Sequence, residues 1–127
     1  MKKIPTIITS VGFDFDWDEE KVWKLTLPIE RIPIKELSWH FEIPFWHSEN
    51  GHYDLNPQAV LDHPQTYTKE FERMMKSDLS YPLDIMFWRG KWLLLDGLHR
   101  LLKAQYLGHD TVSVRKVPTD IIPKIRR

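Results

Sequence analysis

The chain has 127 residues, of which 42% are hydrophobic and 28% charged, proportions typical of one globular domain and not of a disordered segment. Eighteen basic residues balance eighteen acidic ones, so the chain lacks the broad positive field that drives non-specific nucleic-acid binding. There is no cysteine, which excludes disulfides, thiolate zinc sites and every mechanism based on a cysteine nucleophile. No apolar run is long enough to predict a membrane span or a signal peptide, so we expect a cytoplasmic protein.

The N-terminal half of the chain carries mixed signals. Residues 4–9 are rich in β-branched side chains and predict a short strand. Residues 13–18 alternate aromatic with acidic side chains, which favours an extended segment with one buried and one wet face. Residues 22–29 alternate again and predict a strand, while residues 39–57 mix aromatic and histidine side chains and predict a loop that is either a small core or a lid.

The clearest periodicity lies in the C-terminal half. The spacing of apolar residues predicts a helix over 64–78 and a hairpin whose strands are 83–88 and 91–95. A second helix over 98–107 and a final strand over 111–117 follow. This order predicts an α/β (α+β) fold, with a small mixed β-sheet flanked by helices. We expect a single domain over residues 1–127, with residues 1–28 as an N-terminal extension and residues 29–118 as the core.

The turn that precedes the second helix breaks a local rule. First turns of helices favour acidic side chains, because unpaired N–H groups and the macrodipole make that end positive, yet His99 and Arg100 stand there. A bound anion would remove the conflict, since backbone N–H groups, an imidazole and a guanidinium would all face one negative ligand. Gly97 would let the backbone approach that ligand closely. The alternative is a helix capped by Asp96, with two basic side chains at the surface.

The segment from Trp92 to Ala104, followed by Leu107-Gly108 and the strand at 112–114, resembles the ParB/sulfiredoxin-like superfamily. Members of that superfamily carry a strand, a short glycine-containing turn ending in His-Arg or Arg-Arg, a helix, a glycine and a further strand. Residues 29–37 are similar to the N-terminal segment of the same domain. The resemblance implies nucleotide binding, with the phosphates held on the turn.

Two departures narrow what the resemblance implies. Sulfiredoxins place a catalytic cysteine immediately before the His-Arg pair, and Leu98 occupies that position here, which excludes sulfiredoxin activity. ParB proteins of chromosome partitioning add a DNA-binding domain, for which we expect no room after Pro118. The turn is most similar to the Asp-Gly-x-His-Arg subgroup, which includes free-serine kinases.

That subgroup implies a role for each residue of the turn. The expected ligand is a nucleoside triphosphate or diphosphate with Mg²⁺, bound by Gly97, Leu98, His99 and Arg100, with Asp96 placing the metal and both Asp96 and His99 acting in catalysis. In the subgroup a glutamate from the early part of the domain acts as the base, and Glu42 is the candidate here; the alternative for Glu42 is a solvated loop acid.

Two functions are left open by the sequence. The first is an enzyme that transfers or hydrolyses a phosphoryl group at the turn. The second is a non-catalytic accessory module that binds a nucleotide or another phosphorylated small molecule. Nucleic acid is a less favoured partner, because the chain carries no net charge.

Overall fold

The computed structural model of the protein describes residues 4–49 and 51–127. The described part has an α+β architecture, as predicted: a four-stranded mixed sheet with helices on both faces. Its six α-helices and four strands are α1 (Thr6–Ser10), α2 (Glu19–Trp23), β1 (Ile29–Pro33), α3 (Pro57–Asp62), α4 (Thr68–Lys76), β2 (Leu83–Trp88), β3 (Lys91–Asp96), α5 (Leu98–Tyr106), β4 (Thr111–Lys116) and α6 (Ile122–Ile125).

The strand order in the sheet is β1-β4-β2-β3. β4 pairs antiparallel with β1 and parallel with β2, and β2 pairs antiparallel with β3. The predicted hairpin is confirmed, and its turn consists of Arg89 and Gly90, which both have positive φ angles of 52° and 82°. Such a turn has the twist that two antiparallel strands need.

Successive side chains of the central strands point to opposite faces of the sheet. Ile85 belongs to a core cluster that also contains residues of α3, α4 and α5. Its neighbour Met86 belongs to a second cluster, with Val22 of α2 and Ile125 of α6. Residues 4–28, predicted as an extension, therefore help to cover the second face of the sheet.

The secondary structure of the N-terminal segment differs from its prediction. Residues 4–9, expected as a strand, contain most of helix α1, and residues 22–29 contain the end of α2 and an irregular stretch before β1. Asp18 explains the start of α2, because its side chain accepts a 2.9 Å hydrogen bond from the N–H of Glu20. Both strand predictions were wrong: residues 4–9 were assigned from β-branched composition and residues 22–29 from a short alternation, and neither signal outweighs tertiary packing over so few positions.

The remaining elements follow the predictions with small shifts of their ends. Helix α4 begins at Thr68, four residues later than residue 64, and β4 ends at residue 116. The loop predicted over residues 39–57 contains most of the 3₁₀ turn Ser38–Glu42 and an isolated bridge between Trp46 and Leu55. None of the helices in the described ranges is long and apolar enough to cross a membrane.

The free edge of β3 is covered by side chains instead of a further strand. Nε2 of His40 accepts the N–H of Leu94 at 3.0 Å, and the indole N–H of Trp17 donates to the carbonyl of Leu95 at 3.1 Å. Nδ1 of His40 lies 2.7 Å from the carbonyl of Leu37, so both ring nitrogens have partners. These contacts satisfy backbone groups that an open edge would leave unpaired, and they fix the end of β3 from which the candidate site begins.

Candidate functional site

A cleft of about 440 Å³ opens beside the turn that joins β3 to α5. We call it the turn cleft. Residues 96–99 form one of its walls, and a set of aromatic side chains lines much of the rest. These are Phe13, Phe15, Trp17, Phe45, Trp46 and Tyr53.

A smaller depression of about 360 Å³ is lined by the whole turn, residues 96–100, together with Ser77, Asp78 and Tyr81. We call it the outer depression. It shares residues 96–99 with the turn cleft. The four positions predicted to bind a ligand, Gly97 to Arg100, therefore border one common space, and three of them also border the aromatic cleft.

Gly97 is the N-cap of α5 and has a φ of 111°, a conformation that other residues rarely adopt. A Cβ at this position would lie 2.6 Å from Cδ2 of Leu83. The glycine is therefore needed by the fold itself, independently of any ligand. Gly97, and not Asp96, is the N-cap, so the alternative of a helix capped by Asp96 is wrong. Among residues 4–49 and 51–127, no side chain accepts the N–H groups of the first turn of α5.

His99 is held from two sides. Its Nε2 lies 2.6 Å from Oε2 of Glu70 in α4, and its ring stacks on Trp46 with a centroid distance of 4.4 Å and an angle of 20° between the planes. Burial lowers the pKa of His99 below its ordinary value, and the hydrogen bond and charge of Glu70 oppose that shift. A lowered pKa favours the neutral imidazole, and an ionised carboxylate can only accept, so Nε2 of His99 carries the proton of this hydrogen bond.

The guanidinium of Arg100 contacts other groups of the protein, on the side of the turn away from His99. Its Nη1 donates to the carbonyl of Pro82 at 2.8 Å, and its Nη2 donates to Oδ2 of Asp96 at 3.3 Å. The two basic side chains of the first turn thus each have an acidic partner within the protein. The charge conflict in the sequence is met by Glu70 and Asp96, and it does not by itself require an anionic guest.

Asp96 ends β3 and is shared by several contacts. Its Oδ2 accepts a 2.6 Å hydrogen bond from the indole N–H of Trp23 as well as that from Arg100. Among the described residues, no group of three His, Asp or Glu side chains could hold a metal ion. One carboxylate suffices for Mg²⁺ only where phosphate oxygens and waters complete its octahedron, so the metal role of Asp96 stays a prediction that depends on a nucleotide.

Glu42 lies away from this arrangement. It is exposed at the end of the 3₁₀ turn Ser38–Glu42, and it lines neither the turn cleft nor the outer depression. The carboxylate that does reach the turn is Glu70, on the polar side of the predicted helix. Nothing in the local sequence indicates this contact, because it spans 29 positions and depends on how α4 packs against α5.

An ion pair between Asp84 of β2 and Arg115 of β4 lies next to the turn. The side chain of Asp84 in β2 is bound by Nε of Arg115 at 2.7 Å, and Arg115 also donates to the carbonyls of Leu25 and Val22 at 2.7 and 3.0 Å. Burial raises the pKa of Asp84, and Arg115 opposes that rise. The network ties the segment after α2 to the sheet beneath the turn.

Comparison of the chain with protein-family models, with curated proteins and with solved structures finds no match. The resemblance to the ParB/sulfiredoxin-like superfamily therefore stays a prediction from the motif at residues 92–108.

Proposed function

We propose that this protein binds a nucleoside diphosphate or triphosphate at the turn between β3 and α5. The phosphates occupy the N-terminal end of α5, and the base lies among the aromatic side chains of the turn cleft. The observation that carries the proposal is the uncapped start of α5 at the wall of an aromatic cleft. The resemblance of Asp96 to Arg100 to a nucleotide-binding turn supports the same ligand.

The phosphate end of the ligand is assigned from the backbone. Helix α5 has nine residues and begins at a left-handed glycine with no capping side chain. Its first N–H groups and the positive end of its macrodipole, equivalent to about half an elementary charge, favour a negative group there. Arg100 also borders the outer depression, where its guanidinium is already paired with Asp96, so the backbone N–H groups of the helix start carry the assignment.

The base end of the ligand is assigned from the charges and rings of the turn cleft. Asp16 and Glu19 line that cleft, where they form ion pairs with Arg127. Carboxylates accept hydrogen bonds from amino groups and hydroxyls, which a base and a sugar supply. Tyr53 and Trp46 also line that cleft, and since Trp46 already stacks on His99, we assign the planar base to the ring of Tyr53.

Isothermal titration calorimetry with a panel of nucleoside di- and triphosphates, each with and without Mg²⁺, tests the proposal. We expect at least one of them to bind, and Tyr53→Ala to weaken that binding about tenfold, since base stacking on one aromatic side chain contributes roughly 1–3 kcal/mol. Tyr106→Ala is the matched control, because Tyr106 is exposed on α5 and lines neither the turn cleft nor the outer depression. The absence of binding heat with every nucleotide under both conditions refutes the proposal.

A further inference from the structure

The pair formed by Glu70 and His99 has the geometry of a base held by a carboxylate. The Nε2···Oε2 distance is 2.6 Å, and the two side chains are only 23% and 15% exposed. The other oxygen of Glu70 is held in turn by Arg73, whose Nη1 lies 3.2 Å from Oε1. The imidazole of His99 is thus hydrogen-bonded to a carboxylate that Arg73 holds, and it is also stacked on Trp46. These two contacts leave the imidazole little freedom to rotate.

The pair also fixes which nitrogen of His99 can accept a proton. With the Nε2–H donating to Glu70, neutral imidazole carries its lone pair on Nδ1. Within the described ranges Nδ1 has no hydrogen-bond partner, and His99 borders both the turn cleft and the outer depression. An acceptor nitrogen is thus free beside the place where the nucleotide phosphates are proposed to lie.

We propose that His99 is the general base for hydrolysis of the bound nucleotide, and that Glu70 is the positioning residue that keeps the proton of His99 on Nε2. This inference rests on the proposed nucleotide site. It assigns the base to a residue of the turn itself and leaves Glu42, exposed and outside both spaces, without a catalytic role. The ligand class it requires is a nucleotide with a terminal phosphoryl group, and the co-reactant is water.

The hydrolysis uses one water molecule and one proton acceptor, Nδ1 of His99. A water O–H bond breaks, its proton passes to Nδ1 of His99, and the freed electron pair of the oxygen forms a bond to the terminal phosphorus. The bond from that phosphorus to the bridging oxygen breaks, and the bridging oxygen keeps the electron pair in the shortened nucleotide. His99 then releases its proton to solvent, and inorganic phosphate leaves.

Phosphate release and nucleotide affinity are measured together on the full chain for the wild type, Glu70→Gln and His99→Gln. We expect Glu70→Gln to retain nucleotide affinity within about threefold, and both variants to lose about 10²-fold or more in rate, the range typical of a positioned general base. Glu72→Gln is the matched control, because Glu72 is an exposed acid on the same helix α4. Thermal melting of each variant checks that it is folded.

The outcomes distinguish the failure of the proposed function from the failure of this inference alone. Failure of the wild type to bind any nucleotide removes the proposed function and this inference together. Binding without phosphate release by the wild type overturns this inference alone, as does a rate that Glu70→Gln leaves unchanged. The pH profile adds a readout that a purely structural role would not move: the acid limb of the rate should shift to lower pH in Glu70→Gln, because Glu70 holds the pKa of His99 up.

The other charged groups around His99 are accounted for in that pH profile. The positive charge of Arg73, which lies on α4, lowers the pKa of His99. The groups that line the turn cleft with His99 are Asp16, Glu19, Asp96 and Arg127, and those that line the outer depression are Asp78, Asp96 and Arg100. All are unchanged in Glu70→Gln, so a shift of the acid limb reports the loss of Glu70.

A measurement on the wild type covers the case in which a variant does not fold. Nitrogen-15 NMR of the histidine rings at neutral pH distinguishes the two neutral tautomers. The proposal requires His99 to be neutral and protonated on Nε2. A signal that places the proton on Nδ1 would contradict it, whatever the variants do.

Discussion

Asp84 lies opposite Asp96 across the β2–β3 pair, and a different arginine binds each carboxylate. The register of the two strands shifts between Asp84 and Ile85. Two acids at facing positions repel one another, and the negative charge of Asp96 contributes to the raised pKa of Asp84. Arg115 and Arg100 offset the repulsion between the two carboxylates. The structure of the candidate turn therefore depends on these two ion pairs.

Replacement of Arg115 by methionine is expected to destabilise the protein by about 3–5 kcal/mol. The substitution leaves the buried carboxylate of Asp84 without its partner and removes the hydrogen bonds to the carbonyls of Leu25 and Val22. Denaturant unfolding followed by tryptophan fluorescence measures the loss. Lys116→Met is the control, because the ion pair of Lys116 with Glu30 is 35% and 44% exposed and should contribute less than about 1 kcal/mol. Equal losses of unfolding free energy in the two variants would show that the buried Asp84–Arg115 pair stabilises the protein no more than the exposed pair of Lys116 and Glu30.

The buried imidazole of His40 predicts a loss of stability on mild acidification. Burial lowers the pKa of His40 to about 4 from an ordinary 6.5. Protonation of Nε2 would also break its hydrogen bond from the N–H of Leu94. In the unfolded chain His40 takes up a proton near pH 6.5, so its contribution to stability is complete above that pH and falls as the pH drops toward 4. The total loss attributable to this group is about 3 kcal/mol.

The comparison of His40→Gln with the wild type between pH 7 and pH 4 isolates this contribution. The variant is less stable at pH 7 but should lose less stability on acidification, so the two free energies of unfolding converge. His63→Gln, a substitution of an exposed histidine, should keep the wild-type pH dependence. Parallel curves for the wild type and His40→Gln would count against a neutral buried His40.

The success of the sequence predictions depended on how local the determining contacts are. The hairpin, α5 and β4 were predicted because their apolar spacing and the Arg89-Gly90 turn lie within a few residues of one another. Helix α2 was missed although its start has a local signal, the capping side chain of Asp18. Helix α1 had no such signal, since its N-cap is Pro5 without a side-chain hydrogen bond, and its β-branched residues favour strands.

The candidate site was predictable only in part, for the same reason. The turn at Asp96 to Arg100 is contiguous, so its unusual first helical turn is visible in the sequence. Its partners are not contiguous: Glu70 lies 29 positions before His99, and Trp23 lies 73 positions before Asp96. The sequence shows two basic residues without showing the acids that the fold brings to them.

Alanine at Gly97 is expected to be more harmful than alanine at Gly108. Both glycines have positive φ angles, 111° and 80°, which cost an alanine about 1–2 kcal/mol of strain. Only at Gly97 would the new Cβ also meet a side chain, Cδ2 of Leu83, at 2.6 Å, while at Gly108 nothing lies within 4 Å. Thermal unfolding of both variants should give a lower melting temperature for Gly97→Ala. The prediction fails if Gly108→Ala is destabilised as much.

Substitution of Trp46 by leucine is expected to raise the pKa of His99. The stacked indole, 4.4 Å from the imidazole, excludes water from one face of the ring, and burial is the main reason that the pKa of His99 is low. With water admitted, the charged form becomes less costly, while Glu70 still stabilises it, so a larger fraction of His99 is protonated at a given pH. NMR titration of the histidine ring protons measures the shift.

Trp92→Leu is the control for that titration, because Trp92 is a partly buried tryptophan that packs against Phe87 on the β-hairpin. It should leave the titration of His99 unchanged. If His99 is the base of the proposed hydrolysis, the Trp46→Leu variant also loses rate at the acid side of its pH profile, because protonated His99 cannot accept a proton. A pKa of His99 that stays the same or falls in Trp46→Leu would mean that groups other than the indole keep water from the ring.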